Sequence, residues 1–464
     1  MSTSNSTDFS SLKLQPALLE NLSALGYECM TPIQSQSLPS ILEGKDVIAQ
    51  GKTGSGKTAA FSLGLLEALD TKCFDVQSLI LCPTRELADQ VAKQVRQLAR
   101  AIPNIKVLTL CGGTSSGPQI NSLENGVHIV VGTPGRVEDH LQKGALSLDK
   151  LTVFVLDEAD RMLDMGFQPA LDAIVEYLPV KRQTLLFSAT FPDQIKSIAK
   201  RIMHSPVMAQ LKSGHDGETI RQYRYKVADN ADRVEAIRLL LLCHQPESAV
   251  IFCNTKRETQ AVADELYQYG FSVAALHGDL DQKARDQTLV RFMNKSISVL
   301  VATDVAARGL DIEALDAVIN YHIASEVEVH VHRIGRTGRA GNKGLACSLF
   351  SDKEHHKISR LEEYLGYNIE EKSLPPNKLL KNEAYSASMA TLQIDGGKKQ
   401  KVRAGDILGA LTGDKGIAGK DVGKIQLFDH RAFVAVTLEA APAALKKLEQ
   451  GKLKGRSFRV RRLR

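Results

Sequence analysis

Short apolar runs, each stopped by polar or glycine residues, recur along two long stretches of the chain, with helical patterns between them. In the first stretch they read VIA at 47–49, SLILCP at 78–83, VLTLC at 107–111, HIVVGTP at 128–134 and VFVLDEAD at 153–160. In the second they read AVIFCNT at 249–255, VAALHG at 273–278, VLVAT at 299–303 and AVINY at 317–321. Runs that are apolar throughout, rather than alternating, predict strands buried on both faces. Their alternation with helices predicts an α/β fold with a doubly wound parallel sheet in each stretch. Such sheets bind ligands beyond the carboxyl ends of their strands. The polar clusters of this chain fall at those ends.

Two breaks divide the pattern. KSGHDG at 212–217 is a polar interruption, and the paired prolines of SLPPN at 373–377 cannot continue a helix. The expected organisation is a first lobe at 1–212, a second at 218–372, a linker at 373–386 and a terminal domain at 387–464. In the last block TLQI (391–394), a loop at 405–411, IQLF (425–428), AFVAV (432–436), a helix at 443–449 and SFRV (457–460) predict a small α+β domain of βαββαβ order.

Charge separates the last block from the others. The whole chain of 464 residues carries +6. Residues 391–464 hold ten Lys and seven Arg against five Asp and two Glu, a local +10 that leaves −4 for the rest. A basic terminal unit on a weakly acidic body suggests a polyanion partner for that unit. No apolar run approaches the roughly 20 residues that span a bilayer, and the first residues, MSTSNSTDFSS, lack a secretory pattern, so neither a membrane nor export is expected. The seven cysteines are scattered without a CxxC pair, which predicts buried thiols in a reducing cytoplasm. His128, His140, His204 and His244 show no metal-ligand spacing, and His355 and His356 sit in a charged stretch that predicts solvation.

Three clusters carry candidate chemistry. Residues 51–58, GKTGSGKT, follow a strand and fit the GxxxxGK[ST] phosphate cradle: glycines let backbone N–H groups approach phosphates, Lys57 neutralises the terminal ones, and the Thr58 hydroxyl suits magnesium. Thr53, Gly54, Ser55 and Gly56 line that cradle. The strand at 153–156 then ends in Asp157, Glu158 and Asp160. Carboxylates so close repel unless a cation sits among them. Asp157 is expected in the magnesium shell, with Glu158 orienting and deprotonating an attacking water. A third cluster, Arg333, Arg336 and Arg339, lies in the second stretch, which has no cradle of its own. Planar, permanently charged guanidinium groups suit phosphate, so this segment reads as a donor of arginines to a nucleotide held by the first lobe.

DEAD at 157–160 is the tetrad that names the DEAD-box ATP-dependent RNA helicases, and the chain resembles that family from residue 9 to about 372. The resemblance implies two tandem RecA-like lobes, with ATP and Mg2+ as cofactors and RNA as partner. Phe9, Tyr27, Thr31 and Gln34 match its adenine-reading Q motif. Pro83, Thr84, Arg85, Gly113, Thr133, Gly135 and Arg136 match RNA-backbone motifs of the first lobe, and Thr255, Gly278 and Thr303 those of the second. Ser188 and Thr190 of SAT, with His332, match elements that couple ATP to RNA. By the same resemblance Arg336 and Arg339 reach the transferring phosphoryl group, Asp311 the ribose, and Asp160 and Gly309 join the nucleotide site. ATP and RNA, each contacted by both lobes, would favour closure, which hydrolysis releases.

The terminal domain resembles an RNA-recognition motif, an arrangement that ordinarily stacks bases on sheet aromatics. Here Arg431 stands where an aromatic is usual, and the first strand lacks its own. Binding through Lys398, Lys399, Lys401, Arg403, Lys452, Lys454, Arg456, Arg459, Arg461 and Arg462 is expected instead. The runs IDGGKK at 394–399 and GALTG at 409–413 resemble the bacterial DbpA group. That resemblance implies docking on a large-subunit ribosomal RNA hairpin and assistance in assembling a pre-ribosomal particle; a cytoplasmic monomer is expected. Two other functions fit the same core, an ATP-gated RNA clamp that unwinds little and a DNA translocase.

Overall fold

The computed structural model describes residues 7–51, 54–210, 220–229, 231–307, 315–338, 344–414 and 416–463. Among these, residues 7–210 form one compact unit and residues 220–463 another. Of the residues with expected roles, Thr53, Gly309, Asp311 and Arg339 lie outside the described set.

The first unit is a parallel sheet of seven strands: β1 (Val47–Gln50), β2 (Ser78–Leu81), β3 (Val107–Leu110), β4 (Ile129–Gly132), β5 (Val153–Asp157), β6 (Gln183–Ser188) and β7 (Val207–Gln210). Their spatial order is β3-β4-β2-β5-β6-β1-β7. Alternate residues of these strands enter different cores. Ala49, Ile80, Val131, Val155 and Phe187 pack on one face, and Ile48, Leu79, Val130, Phe154 and Leu186 on the other. Both faces are therefore dry, as the unbroken apolar runs required. Sequence reading missed β6 and β7, although TLLFS in β6 has the same apolar character.

The second unit holds a second parallel sheet: β8 (Ile220–Lys226), β9 (Ala249–Cys253), β10 (Val273–Leu276), β11 (Val299–Thr303), β12 (Ala317–Asn320), β13 (Gly344–Phe350) and β14 (Glu370–Lys372). The order is β10-β11-β9-β12-β13-β8-β14. β8 escaped notice because IRQYRYK is polar, and its pairing with β13 supplies what its own pattern lacks. The expected linker is not a free tether. Leu374, Leu379, Leu380, Ala384 and Tyr385 pack against the core of this lobe, and Tyr385 meets Phe271 edge-on.

The terminal domain is an antiparallel sheet ordered β16-β17-β15-β18, from β15 (Met389–Ile394), β16 (Val422–Leu427), β17 (Ala432–Thr437) and β18 (Val460–Arg462). Helices Ala404–Thr412 and Ala441–Gln450 cover one face, giving the expected βαββαβ order. Two expectations need correction. Residues 405–411 form a helix rather than a loop, because Ile407 and Leu411, four apart, both bury in the core. Its start is fixed by the Arg403 N–H donating to Asp406 Oδ2 at 2.8 Å. The last strand begins at Val460, not Ser457, since Val460 is the residue paired with Ile394.

The other face of this sheet is closed by the second lobe. Thr391 and Gln393 are 0% and 1% exposed. Thr391 Oγ1 accepts from Asn294 Nδ2 at 3.2 Å and lies 2.7 Å from Ser296 Oγ, while Gln287 Nε2 donates to Gln393 Oε1 at 3.0 Å. The Met389 N–H donates to the Lys295 carbonyl at 3.2 Å. Polar residues facing outward from a small sheet are thus buried with their partners supplied.

Candidate active site

The sheet order sorts the motifs. In the first lobe β5, β6 and β1 are neighbours, so the DEAD, SAT and cradle segments leave one half of the carboxyl edge together. The loops after β2, β4 and β3, carrying Pro83 to Arg85, Thr133 to Arg136 and Gly112 to Gly113, leave the other half. In sequence the second set lies as one block between the cradle and DEAD. Only the strand crossovers separate them.

The cradle is buttressed from below. Gly56 caps helix Lys57–Glu67 with φ +94°, and a Cβ there would fall 2.6 Å from Gln34 Nε2 and 2.8 Å from Thr31 Oγ1, so only glycine fits. Those two side chains instead bond the loop: Thr31 Oγ1 donates to the Ser55 carbonyl at 2.7 Å and Gln34 Nε2 to the Gly56 carbonyl at 3.1 Å. The Thr31 N–H donates to Gln34 Oε1 at 2.8 Å, which locks the pair. Tyr27 accepts from Gln94 and meets Phe9 edge-on, with ring centroids 6.3 Å apart; Phe9 lies in the core. Thr58 opens the helix, half-exposed.

The acid cluster sits beside this loop. Lys57 Nζ, buried, donates to the Gly51 carbonyl at 2.6 Å. Asp157 is buried at the end of β5. Burial and the neighbouring Glu158 push its carboxyl up to about 7, against the pull of Lys57 and Arg161. For Asp157 the cost of burial outweighs the pull of those two cations. Hard carboxylate and hydroxyl oxygens on Asp157 and Thr58 fit a magnesium ion. Asp160 faces the other way. Its Oδ2 accepts from the N–H and the hydroxyl of Thr190, both at 2.8 Å, and its own N–H donates to Ser188 Oγ at 3.3 Å. SAT and DEAD are therefore joined by three hydrogen bonds.

Several expected RNA-facing residues are held by their own helices. Thr84 caps helix Arg85–Leu98 by accepting from Leu87 N–H at 3.3 Å, and Thr255 caps helix Lys256–Gln268 the same way from Glu258 at 3.2 Å. Gly113 has φ +77°, and Gly135 and Gly278 have open space where a side chain would be. Arg136 donates to Gln119 Oε1 at 2.9 Å and to the Thr114 carbonyl at 3.1 Å. Gln119, whose oxygen also lies 2.8 Å from His140 Nε2, ties the loops after β3 and β4 together. Nothing in the local sequence marked it.

In the second lobe Arg333 differs from the arginine donors it was grouped with. Buried, it donates twice to Asp304 at 2.7 Å and also to Asn254, Asn320 and the His322 carbonyl. It joins the loops after β9, β11 and β12 and is a scaffold rather than a finger. Arg336, also buried, follows on the turn after helix Val327–Ile334, which carries His332. Thr303 Oγ1 accepts from the Ala306 N–H at 3.3 Å.

On the terminal domain Lys398, Lys399, Lys401, Arg403, Lys452, Lys454, Arg456 and Arg459 are all exposed, as are Arg461 and Arg462. The segments 398–403 and 452–459 meet, with Lys454 Nζ donating to the Lys401 carbonyl at 3.0 Å. Cys82, Cys111, Cys253 and Cys347 are buried as expected, whereas Cys29 and Cys243 are exposed. His355 and His356 are exposed too. Among the described residues no helix is long and apolar enough to cross a membrane.

A buttressed phosphate cradle, a buried acid cluster at the end of the central strand and a second sheet of the same order define a two-lobed nucleoside triphosphatase. Comparison with known proteins narrows this. Residues 31–198 match the family model DEAD/DEAH box helicase, 232–341 the helicase conserved C-terminal domain, and 391–462 the DbpA RNA binding domain. The ATP-dependent RNA helicase DbpA of Escherichia coli K12 is 53% identical over 458 residues, covering 98% of this chain and 100% of its own. That of Bacillus subtilis 168 is 36% identical over 474 residues, covering 97% and 98%. A structure of S. cerevisiae Dbp5 bound to RNA and ADP BeF3 aligns with TM-score 0.72 at 31% identity, over 81% of this chain and 99% of that one. The chain belongs to the DEAD-box ATP-dependent RNA helicases, as an RNA-dependent ATPase that uses ATP and binds RNA. Within that family it falls in the DbpA group.

Proposed function

We propose that this helicase locally unwinds short duplexes in large-subunit ribosomal RNA, to which its terminal domain directs it during ribosome assembly in the cytoplasm, and that it works as a monomer. In this reading Glu158 takes the proton of the attacking water. Lys57, Arg336 and Arg339 neutralise charge on the transferring phosphoryl group, and Thr31, Gln34 and the cradle fix the nucleotide. Thr58 and Asp157 would hold magnesium, which when bound supplies positive charge to the phosphate oxygens. The Asp160 bonds to Thr190 and Ser188 give nucleotide occupancy a route to the loops that follow β6. Backbone-type contacts at Thr84, Gly113, Thr133, Gly135, Arg136, Thr255, Gly278 and Thr303 carry no sequence information, so target choice falls to the terminal domain.

One observation supports that division most. The sheet face on which RNA-recognition motifs stack bases is covered by the second lobe, while two basic segments meet in the open. The test compares ATPase activation of the full chain by a large-subunit ribosomal RNA hairpin fragment and by an unrelated hairpin of equal length. The parent should prefer the ribosomal fragment. A variant with Lys398→Glu, Lys399→Glu, Lys454→Glu and Arg456→Glu should respond equally to both, and a preference retained by that variant would remove the basic segments from target choice.

A further inference from the structure

Glu158 occupies an unusual backbone position. It caps helix Ala159–Asp164 in the left-handed region, at φ 54° and ψ 50°, which a non-glycine residue rarely adopts. That conformation fixes where its Cβ points, but three side-chain torsions remain free. A carboxylate that must orient one water needs those torsions fixed as well.

Arg161 supplies the restraint. It lies one turn further on, on the same side of the helix, and its Nη1 donates to Glu158 Oε2 at 2.6 Å. The two side chains are only 4% and 7% exposed. A charge-assisted bond in so dry a place is strong and directional. Among the described residues the Arg161 guanidinium bonds no other group, and Glu158 Oε1 accepts from none. The other buried cation of the site, Lys57, is turned to the Gly51 carbonyl. Asp157 and the thiol of Cys82 also lie near Glu158, and neither brings it positive charge.

We propose that Arg161 is a positioning residue for hydrolysis: it holds one oxygen of Glu158 and so presents the other to the attacking water. The DEAD tetrad ends before Arg161, so no motif points to it. The inference rests on Glu158 as the water-orienting carboxylate.

The experiment measures steady-state ATP hydrolysis by the full chain with saturating RNA, for Arg161→Met, Arg161→Lys, Glu158→Gln and the Glu158→Gln, Arg161→Met pair, with thermal midpoints as a control for folding. Arg161→Met should lower kcat by roughly 10- to 100-fold, by analogy with losing an outer partner that orients a metal-ligating side chain, with little change in KM for ATP. Arg161→Lys keeps the charge but not the fork, and should recover only part of the loss. In the Glu158→Gln background the Met substitution should cost nothing further, since two residues acting as one are not additive. An unchanged kcat in Arg161→Met, full recovery by Lys, or the same fold-loss in both backgrounds would overturn the proposal. If Glu158→Gln itself turns over like the parent, the reading of Glu158 falls and takes this one with it. If Glu158→Gln is inactive and Arg161→Met is not, only the role of Arg161 falls.

Discussion

β5 and β12 hold the same place, fourth of seven, in two sheets of the same order. Their ends are chemical opposites. β5 ends in Asp157, a buried carboxylate pushed up to about 7, with Lys57 turned to a carbonyl, although Glu158 beside it pairs with Arg161 and Asp160 with Thr190. β12 ends in Asn320, a neutral amide that donates to Ser348 Oγ at 3.0 Å and accepts from Arg333. Around it the charges close on themselves. Arg333 grips Asp304, and Arg233 pairs with Glu354. Glu354, despite its burial, is drawn down to about 2 by His322, the Ser351 N–H and Arg233. Burial lowers His322, yet its bonds to Glu258 and Glu354 outweigh that and raise it. One fold thus carries a settled polar core in the second lobe and an unsettled one in the first. A buried carboxylate whose charge is incompletely matched, as at Asp157, is costly unless a ligand completes it. The lobe with the deficit is the one built to take up ATP.

The contrast can be broken from either side. The larger effect belongs to the second lobe: Arg333→Met leaves Asp304 uncompensated and should cost about 3–5 kcal/mol, as breaking a buried pair does. Chemical denaturation should show the loss with or without ATP. A change under 1 kcal/mol would mean the network is not the core of that lobe. In the first lobe the opposite sign is expected. The Asp157 carboxyl titrates higher folded than unfolded, so stability falls as pH rises from about 4 towards 7. Asp157→Asn removes that cost. Its nucleotide-free thermal midpoint should exceed the parent's by a few degrees at pH 8, the gap closing towards pH 4, while ATP hydrolysis is lost. A midpoint below the parent's at pH 8 would show that the acid is already compensated without a ligand.

Much of the active site was legible because its residues are contiguous and sit after strands. GKTGSGKT and DEAD carry their chemistry in local spacing, and their neighbours in the sheet follow from α/β topology. The hydrogen bonds from Thr31 and Gln34 to the cradle, by contrast, span more than 20 residues and leave no periodic trace. Gln119 between two loops and Arg333 among three likewise leave no periodic trace. Arg161 is local, yet a basic residue in a helix usually faces water, so its burial had no signal. In the terminal domain the glycines at 405 and 409 disguised a helix whose two buried side chains decide the matter. Thr391 and Gln393 look like solvent-facing strand residues, and only the lobe packed on them makes them interior.

Hydrolysis by Glu158→Gln tests the account most directly. That substitution keeps the shape of the acid cluster and removes the base. ATP and RNA should still bind, by equilibrium titration, while RNA-stimulated turnover falls by roughly 10²- to 10⁴-fold, the span attributable to a positioned base. Turnover within a factor of two of the parent's, with binding intact, would contradict it.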